Sequence, residues 1–137
     1  MRGRPVYVVQ RNDSVLDAVR YMTQYQVGAV PVLAEGDIVG IMSERDVMIR
    51  VVTQELNPAL TKVGEVMTRE VAVLGEDCTC ECALAVMTRL HVRHLPVVAG
   101  KWLVGCVSLR ELREAEIKAN GADIGFLGDW SEQMEEV

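Results

Sequence analysis

The residues best suited to chemistry form two copies of one short pattern, a serine followed three positions later by a carboxylate. Ser43 precedes Asp46 in this way, and Ser108 precedes Glu111. Such a pair at a helix start ordinarily forms a capping box, in which serine and carboxylate bond the first backbone N–H groups. Alternatively, the carboxylate accepts hydrogen bonds from a bound ligand, while the arginine that stands before it binds a phosphate. The pairs alone leave both interpretations open.

Cysteines suggest a second chemistry. Cys78, Cys80 and Cys82 alternate along the chain, and Cys106 stands apart. We interpret Cys80 and Cys106 as small buried apolar residues, because each aligns with an aliphatic residue in the repeat described below. Cys78 and Cys82 lie outside that pattern, near a predicted helix start, a position that lowers a thiol pKa and suits redox sensing or metal binding. The alternative is an ordinary pair of reduced thiols.

The motifs of several catalytic classes are absent. The sequence contains no glycine-rich phosphate loop, no HExxH and no G-x-S-x-G, and its two histidines are His91 and His94. We therefore predict a protein without catalytic or metal-ligating residues. An enzyme is the rival hypothesis.

The acidic charge is concentrated at one end. The chain carries 14 basic and 20 acidic side chains, for a net charge of −6. Residues 111–137 hold eight acidic and two basic side chains, so residues 1–110 are balanced. We therefore expect no nucleic-acid partner. The apolar run Val6–Val9 is too short for a signal segment or a membrane span, and we expect a soluble cytoplasmic protein.

An internal repeat must position these residues. A shift of 65 aligns residues 6–47 with 71–112 without a gap, and 13 of the 42 aligned positions are identical. Each copy begins with a short β-rich run, followed by an apolar helical stripe, two strands joined by a turn, and a second helix. We therefore predict an α/β fold of two tandem β-α-β-β-α repeats.

Prolines indicate where each predicted sheet is open. Pro31 and Pro96 lie inside apparent strands, where a missing N–H favours an edge strand or an unpaired strand end. We expect free backbone groups beside Gly28 and Ala29.

Five ordered motifs carry a family resemblance. They are VGAVPV at 27–32, GIMSERD at 40–46, TKVGEVMT at 61–68, VRHLPV at 92–97 and GCVSLRE at 105–111. Together they resemble a tandem pair of cystathionine β-synthase (CBS) domains, of the stand-alone regulatory type found in bacteria and plant organelles. The resemblance implies a pseudo-two-fold pair, or Bateman-type module. Its predicted domains are residues 5–60 and 61–118, followed by an acidic tail at 119–137.

The resemblance also implies where a ligand binds. In this family the Ser-x-x-Asp end of one repeat combines with the segment before the proline to hold an adenosine-containing ligand in a cleft between the repeats. The main predicted cleft comprises Ser43, Arg45, Asp46, Gly28, Ala29, Val92, Arg93 and His94. A second, weaker cleft comprises Ser108, Arg110, Glu111, Val27, Gly28 and Ala29, because a glutamate is less suited than an aspartate to bind the ribose.

The expected function is therefore regulatory. The resemblance implies binding of an adenosine-containing regulatory ligand, namely AMP, ADP, ATP, NAD(H) or S-adenosylmethionine, and Arg45, Arg93 and Arg110 favour the phosphorylated ones. It also implies that no cofactor is tightly bound, that the chain forms a homodimer and that it acts on an unidentified regulated protein. The alternative is an interaction and dimerisation module with vestigial nucleotide sites. An organellar matrix is the alternative location, if a transit segment has been removed. For the tail, the alternatives are a solubilising end or docking of Phe126, Leu127 and Trp130 on a second protomer.

Overall fold

Residues 6–69 and 71–118 are described by the computed structural model, and the predicted tail at 119–137 lies outside them. The chain divides into two compact units. The first comprises Tyr7–Val71, and the second contains the described residues from Ala72 onward. Each unit is built around its own three-stranded sheet. The predicted α/β organisation into two β-α-β-β-α repeats is confirmed.

The first unit opens with strand β1 (Val9–Gln10) and helix α1 (Val15–Tyr25). A hairpin follows, made of β2 (Ala29–Ala34) and β3 (Asp37–Ser43). A short helix α2 (Glu44–Val47) then continues as a π-helical segment at Met48–Val52, and α3 spans Val63–Val66. Strand β1 pairs in parallel with β2, which pairs antiparallel with β3. The first predicted strand, Val6–Val9, is therefore shorter than expected and lies further along the chain.

The second unit repeats this order. Its elements are β4 (Leu74–Gly75), α4 (Cys80–Leu90), β5 (His94–Ala99), β6 (Trp102–Ser108) and α5 (Leu109–Lys118). Strand β4 is parallel to β5, and β5 is antiparallel to β6. The register of the second hairpin equals that of the first after the shift of 65. The main difference is the final helix, which is continuous in α5 and π-helical after Val47 in the first unit.

Local chemistry explains the helix and hairpin ends. The Ser14 hydroxyl accepts the Asp17 N–H at 3.0 Å and begins α1, and the Thr79 hydroxyl accepts the Cys82 N–H at 3.0 Å and begins α4. The two-residue turn between β2 and β3 has φ of 53° at Glu35 and 85° at Gly36. Positive φ at both positions matches the right-handed twist of the adjoining strands.

Pro31 lies in a central strand, at a point where one side of that strand is open. Strand β1 pairs with β2 from Val32 onward, so within the described residues nothing pairs with Pro31 on that side. On the other side, Pro31 faces Ile41, whose own N–H and C=O bond Thr68 instead. The missing proline N–H therefore leaves no ladder bond unmade, which confirms the prediction of an unpaired strand end.

The segment at 61–69 packs on the first unit. The Val15 N–H donates to the Thr61 carbonyl at 2.8 Å, and the Val63 N–H donates to the Asp13 carbonyl at 2.8 Å. Val63, Val66 and Met67 are buried in the first core. The predicted domain boundary between residues 60 and 61 stays a prediction, but this packing shows that residues 61–69 complete the core of the first unit.

Each unit buries an aliphatic core with few aromatic side chains. The first core includes Val15, Val30, Val32, Met42 and Val51. The second includes Cys80, Met87, Leu95, Val107 and Leu112, so Cys80 occupies the apolar core position predicted for it, whereas Cys106 is only half-buried. Among the described residues, no helix has the length and apolar character needed to cross a membrane.

Candidate functional site

Asp46 is the most constrained polar residue of the first repeat. Asp46 is the third residue of α2, and it is only 9% exposed. The Ser43 N–H and hydroxyl both donate to Asp46 Oδ2, at 3.0 and 3.2 Å, and the Asp46 N–H donates back to Ser43 Oγ at 3.2 Å. The predicted capping box is therefore present. It holds the carboxylate at the end of β3 in a single orientation.

The other carboxylate oxygen of Asp46 contacts the segment at 61–69. The Thr68 hydroxyl donates to Asp46 Oδ1 at 3.0 Å, and the Arg50 Nε lies 4.0 Å from the same oxygen. Arg50 also donates to the carbonyls of Val66 and Met67, at 3.1 and 2.8 Å. One buried carboxylate thus connects the start of α2 with the segment that leads into the second repeat.

Sequence reasoning missed Thr68 and Arg50. Thr68 lies 22 positions from Asp46, and Arg50 lies 16 and 17 positions from the two carbonyls it binds. The repeat carries no signal for these contacts, because the comparison at a shift of 65 places Arg50 opposite Ala115. The i,i+4 spacing of Asp46 and Arg50 was the one available indication of an ion pair on a helix.

Gly28 and Ala29 lie beside this carboxylate network. Ala29, which is buried, faces Ser43 in the β2–β3 register. The Gly28 carbonyl accepts the Glu44 N–H at 2.9 Å, so one of the backbone groups expected to be free already has a protein partner. Val27 is half-buried against the first core, and Arg45 is exposed.

The second repeat builds a similar cap around a longer carboxylate. The Ser108 N–H donates to Glu111 Oε1 at 3.2 Å, and the Glu111 N–H donates to Ser108 Oγ at 3.0 Å. Arg110, predicted to bind phosphate, is instead paired with Glu114 at 3.0 Å, and its side chain is 88% exposed. An exposed pair of this kind contributes little stability and leaves the guanidinium accessible.

The remaining predicted residues lie at the start of β5. His94 faces Ser108 in the β5–β6 register and is half-buried. The Arg93 carbonyl accepts the Leu109 N–H at 2.7 Å, while the residue itself is exposed. Val92 packs against the second core. The structure thus brings the predicted residues together within each repeat, and their combination across repeats stays a prediction.

The cysteines correct one expectation. The helix start was expected to lower the thiol pKa of Cys78 and Cys82, but burial raises the pKa of Cys78 to about 12, and its hydrogen bond with Cys82 contributes. Burial also raises the pKa of Cys80, followed by the nearby charge of Glu116. In the described part of the chain, no group of three or more His, Cys, Asp or Glu side chains is arranged to hold a metal ion.

Comparison with known proteins agrees with the repeat. The sequence profile of the CBS domain family matches residues 2–53 and 63–118. The mitochondrial CBS domain-containing protein CBSX3 of Arabidopsis thaliana is 36% identical over 112 residues. That alignment covers 77% of this chain and 54% of the plant protein, so the chain spans about half of that relative's length.

Solved structures show the same architecture. A signal-transduction protein with CBS domains from Burkholderia ambifaria superposes with a TM-score of 0.81 at 36% identity, covering 90% of each chain. The CBS domain pair of protein MJ0100, solved in complex with methylthioadenosine and S-adenosyl-L-methionine, gives a TM-score of 0.75 at 22% identity, over 86% of this chain and 92% of that one. With two matched domains over most of its length and these relatives, the chain belongs to the CBS domain family.

Proposed function

We propose that this CBS pair is a non-enzymatic regulatory module that binds an adenosine-containing ligand, AMP, ADP, ATP or NAD(H), through the carboxylate of Asp46. The observation that carries the proposal is the buried Asp46 carboxylate, oriented by Ser43 and Thr68. A fixed carboxylate is suited to accept hydrogen bonds from the two hydroxyls of a ribose. The adenosine compounds bound to the CBS pair of MJ0100 support the same ligand class.

The hydrogen bonds around Asp46 determine how a ribose would bind. A carboxylate offers about four lone-pair positions. Three are engaged, two by Ser43 and one by Thr68. A ribose that binds through both hydroxyls needs two positions, so one hydroxyl of the protein must give way. Thr68 or Ser43 would then turn its hydroxyl toward the ligand.

This exchange offers a route for a signal. Thr68 belongs to the segment that leads from the first repeat into the second, and Arg50 holds the two preceding carbonyls of that segment. A ligand that replaces the Thr68 hydroxyl at Asp46 would loosen one end of this segment. The populations of the segment's conformations would then depend on ligand occupancy, which is the requirement for signalling by conformational change.

Exposed arginines favour a phosphorylated ligand. Arg45 precedes Asp46 directly and is exposed, and the family resemblance assigns Arg93 and His94 of the second repeat to the same ligand. One guanidinium group can donate two parallel hydrogen bonds to two oxygens of the same phosphate. In the second repeat, Glu111 replaces the aspartate, so we expect weaker binding or none there.

A thermal-shift panel tests the ligand class. We expect AMP, ADP, ATP or NADH to raise the unfolding midpoint of the chain, because a ligand that binds only the folded state stabilises it by mass action. S-adenosylmethionine tests the preference for phosphate, and CMP and UMP serve as controls that carry ribose phosphate without adenine. A uniform response to all nucleotides would contradict recognition of adenosine.

An interaction module with vestigial nucleotide sites is the second candidate function. It is favoured by the fact that the capping box alone already gives Asp46 a structural role. No response to any member of the panel would support this candidate. We further propose a cytoplasmic location, or an organellar matrix if a transit segment is removed, with a regulated protein as partner.

We also propose that the chain forms a homodimer through the first repeat. A groove of about 430 Å³ lies between α1 and α2, and Val19, Met22, Val27 and Val47 contribute to its lining. The segment that follows exposes an apolar set of side chains, namely Met48, Ile49, Val52, Leu56 and Leu60. Contiguous exposed apolar surface is typical of protein interfaces. In the second repeat, the positions of Met48 and Ile49 hold Arg113 and Glu114.

Val52→Asp tests this interface. Val52 is 65% exposed, so the variant should fold, and a buried carboxylate pair across a two-fold axis should break the dimer. Light scattering should give about twice 15.2 kDa for the wild type and about 15.2 kDa for the variant. Ile117→Asp is the matched control, since Ile117 holds the equivalent position of the second repeat and is 74% exposed. Equal dimer loss in both variants, or in neither, would refute the first-repeat interface.

A further inference from the structure

Three cysteines surround the start of α4 and take no part in the proposed ligand site. Cys78 precedes the cap residue Thr79 and is half-buried, Cys80 is buried in the second core, and Cys82 is exposed. None of the chain's four cysteines is in a disulfide. Their different exposure makes them chemically distinct, although they alternate in sequence.

The helix cap brings two of these thiols together. The Thr79 hydroxyl accepts the Cys82 N–H at 3.0 Å, so Cys78 stands just before the cap residue and Cys82 is the third residue of α4. A turn holds the backbone before the cap in place, because the Cys78 N–H donates to the Gly75 carbonyl at 3.0 Å. The Cys78 and Cys82 side chains interact with each other, and this interaction contributes to the raised pKa of Cys78. The Cys78 Sγ also lies 3.5 Å from the Thr79 carbonyl oxygen.

From this contact we propose that Cys78 and Cys82 are a reversible oxidation site, which closes to an intramolecular disulfide when the chain meets hydrogen peroxide. A disulfide requires Cβ atoms about 3.5–4.5 Å apart, so two cysteines whose side chains already interact are the pair best placed to form one. The site is distinct from the adenosine site, which uses no cysteine.

The reaction proceeds in two steps. The sulfur of Cys82 attacks one peroxide oxygen and breaks the O–O bond, giving a sulfenic acid on Cys82 and one water after proton transfer. The sulfur of Cys78 then displaces the hydroxyl from Cys82, which forms the S–S bond and releases a second water. Together, the two thiols lose two electrons and two protons, and the peroxide is reduced to two waters. A dithiol reductant restores both thiols by exchange.

Exposure assigns the order of the two cysteines. Cys82 is exposed and meets the oxidant first, whereas Cys78 is half-buried and its raised pKa keeps it protonated. Direct contact with Cys82 makes the second step intramolecular, which offsets the low thiolate fraction of Cys78. Cys80 is 3% exposed and packs in the core, so it stays reduced.

The test counts thiols on the full chain before and after hydrogen peroxide, under denaturing conditions. We expect the four free thiols of the wild type to fall to two, and a dithiol reductant to restore four. Digestion with a protease that cleaves after glutamate separates Cys82 from Cys78 at Glu81. The oxidised sample should therefore contain these two peptides linked, at the summed mass less two hydrogens.

Single variants identify the pair. Cys82→Ser and Cys78→Ser should each keep the two remaining cysteines of the cluster free of any disulfide. Cys106→Ser, which changes a half-buried cysteine in β6, should still lose two thiols on oxidation. Four thiols after peroxide, a link through Cys80, or only disulfides between chains would overturn the proposal.

Discussion

The Asp46→Ala variant is expected to bind its adenosine ligand about 100-fold more weakly than the wild type. A hydrogen bond to a charged group contributes about 1.5–3 kcal/mol, and about 1.4 kcal/mol corresponds to tenfold in affinity. Losing the acceptor for two ribose hydroxyls therefore removes at least about two orders of magnitude. Isothermal titration calorimetry with the best ligand of the thermal-shift panel measures this loss.

A second substitution separates binding from helix capping. Asp46→Ala also removes the partner of Ser43 and Thr68, which costs about 1 kcal/mol of stability. Asp46→Asn keeps the shape and one acceptor oxygen for the Ser43 N–H, so it should fold with nearly normal stability and still bind weakly. Glu111→Ala is the control from the second repeat and should change the affinity by less than about threefold. Unchanged affinity in both Asp46 variants would show that the residue only caps α2.

Gly40→Ala is expected to destabilise the first repeat by about 1–3 kcal/mol, the usual cost of overpacking. A Cβ at this position would lie 2.6 Å from Met67 Sδ and 2.6 Å from the Thr68 carbonyl oxygen. The sulfur belongs to a flexible side chain, but the carbonyl belongs to the two-bond bridge between Thr68 and Ile41. The bridge must therefore move. Thermal unfolding measures the loss, and hydrogen exchange should increase at the Thr68 amide.

The matched control comes from the equivalent strand. A Cβ at Gly105 meets nothing within 4 Å, so Gly105→Ala should change stability by less than about 0.5 kcal/mol. Replacing a strand glycine with alanine also removes conformational freedom from the unfolded chain, which favours folding. Equal destabilisation by the two substitutions would contradict the close packing of residues 67 and 68 on β3.

Local features of the fold could be predicted because the signals are local. The β-rich runs, the turn between the two strands of each copy and the apolar helical stripe each involve residues close in sequence. In the first unit the turn lies at Glu35 and Gly36, and Val15, Ala18 and Met22 form the stripe. Pro31 was informative for the same reason, since its missing N–H restricts one side of one strand. Because the repeat carries each of these local patterns twice, the same order of elements could be predicted for both units.

The contacts of the site could not be predicted in this way. Thr68 and Arg50 act on groups 16 to 22 positions away, and no repeat equivalent marks them. The predicted lowering of the Cys78 pKa was wrong in direction for a related reason. The position of a thiol near a helix start is readable from sequence, but its burial and its hydrogen bond with Cys82 depend on packing.

Binding of an adenosine ligand at the Asp46 carboxylate can be observed by nuclear magnetic resonance of the ¹⁵N-labelled chain. On addition of AMP, or of the panel ligand that raises the unfolding midpoint most, we expect saturable changes in the chemical shifts of the Ser43, Asp46 and Thr68 amides. The same titration of Asp46→Asn should leave these amides nearly unmoved at equal ligand concentration. Saturable binding that leaves all three amide shifts unchanged, or that is the same in Asp46→Asn, would rule out the Asp46 carboxylate as the binding site.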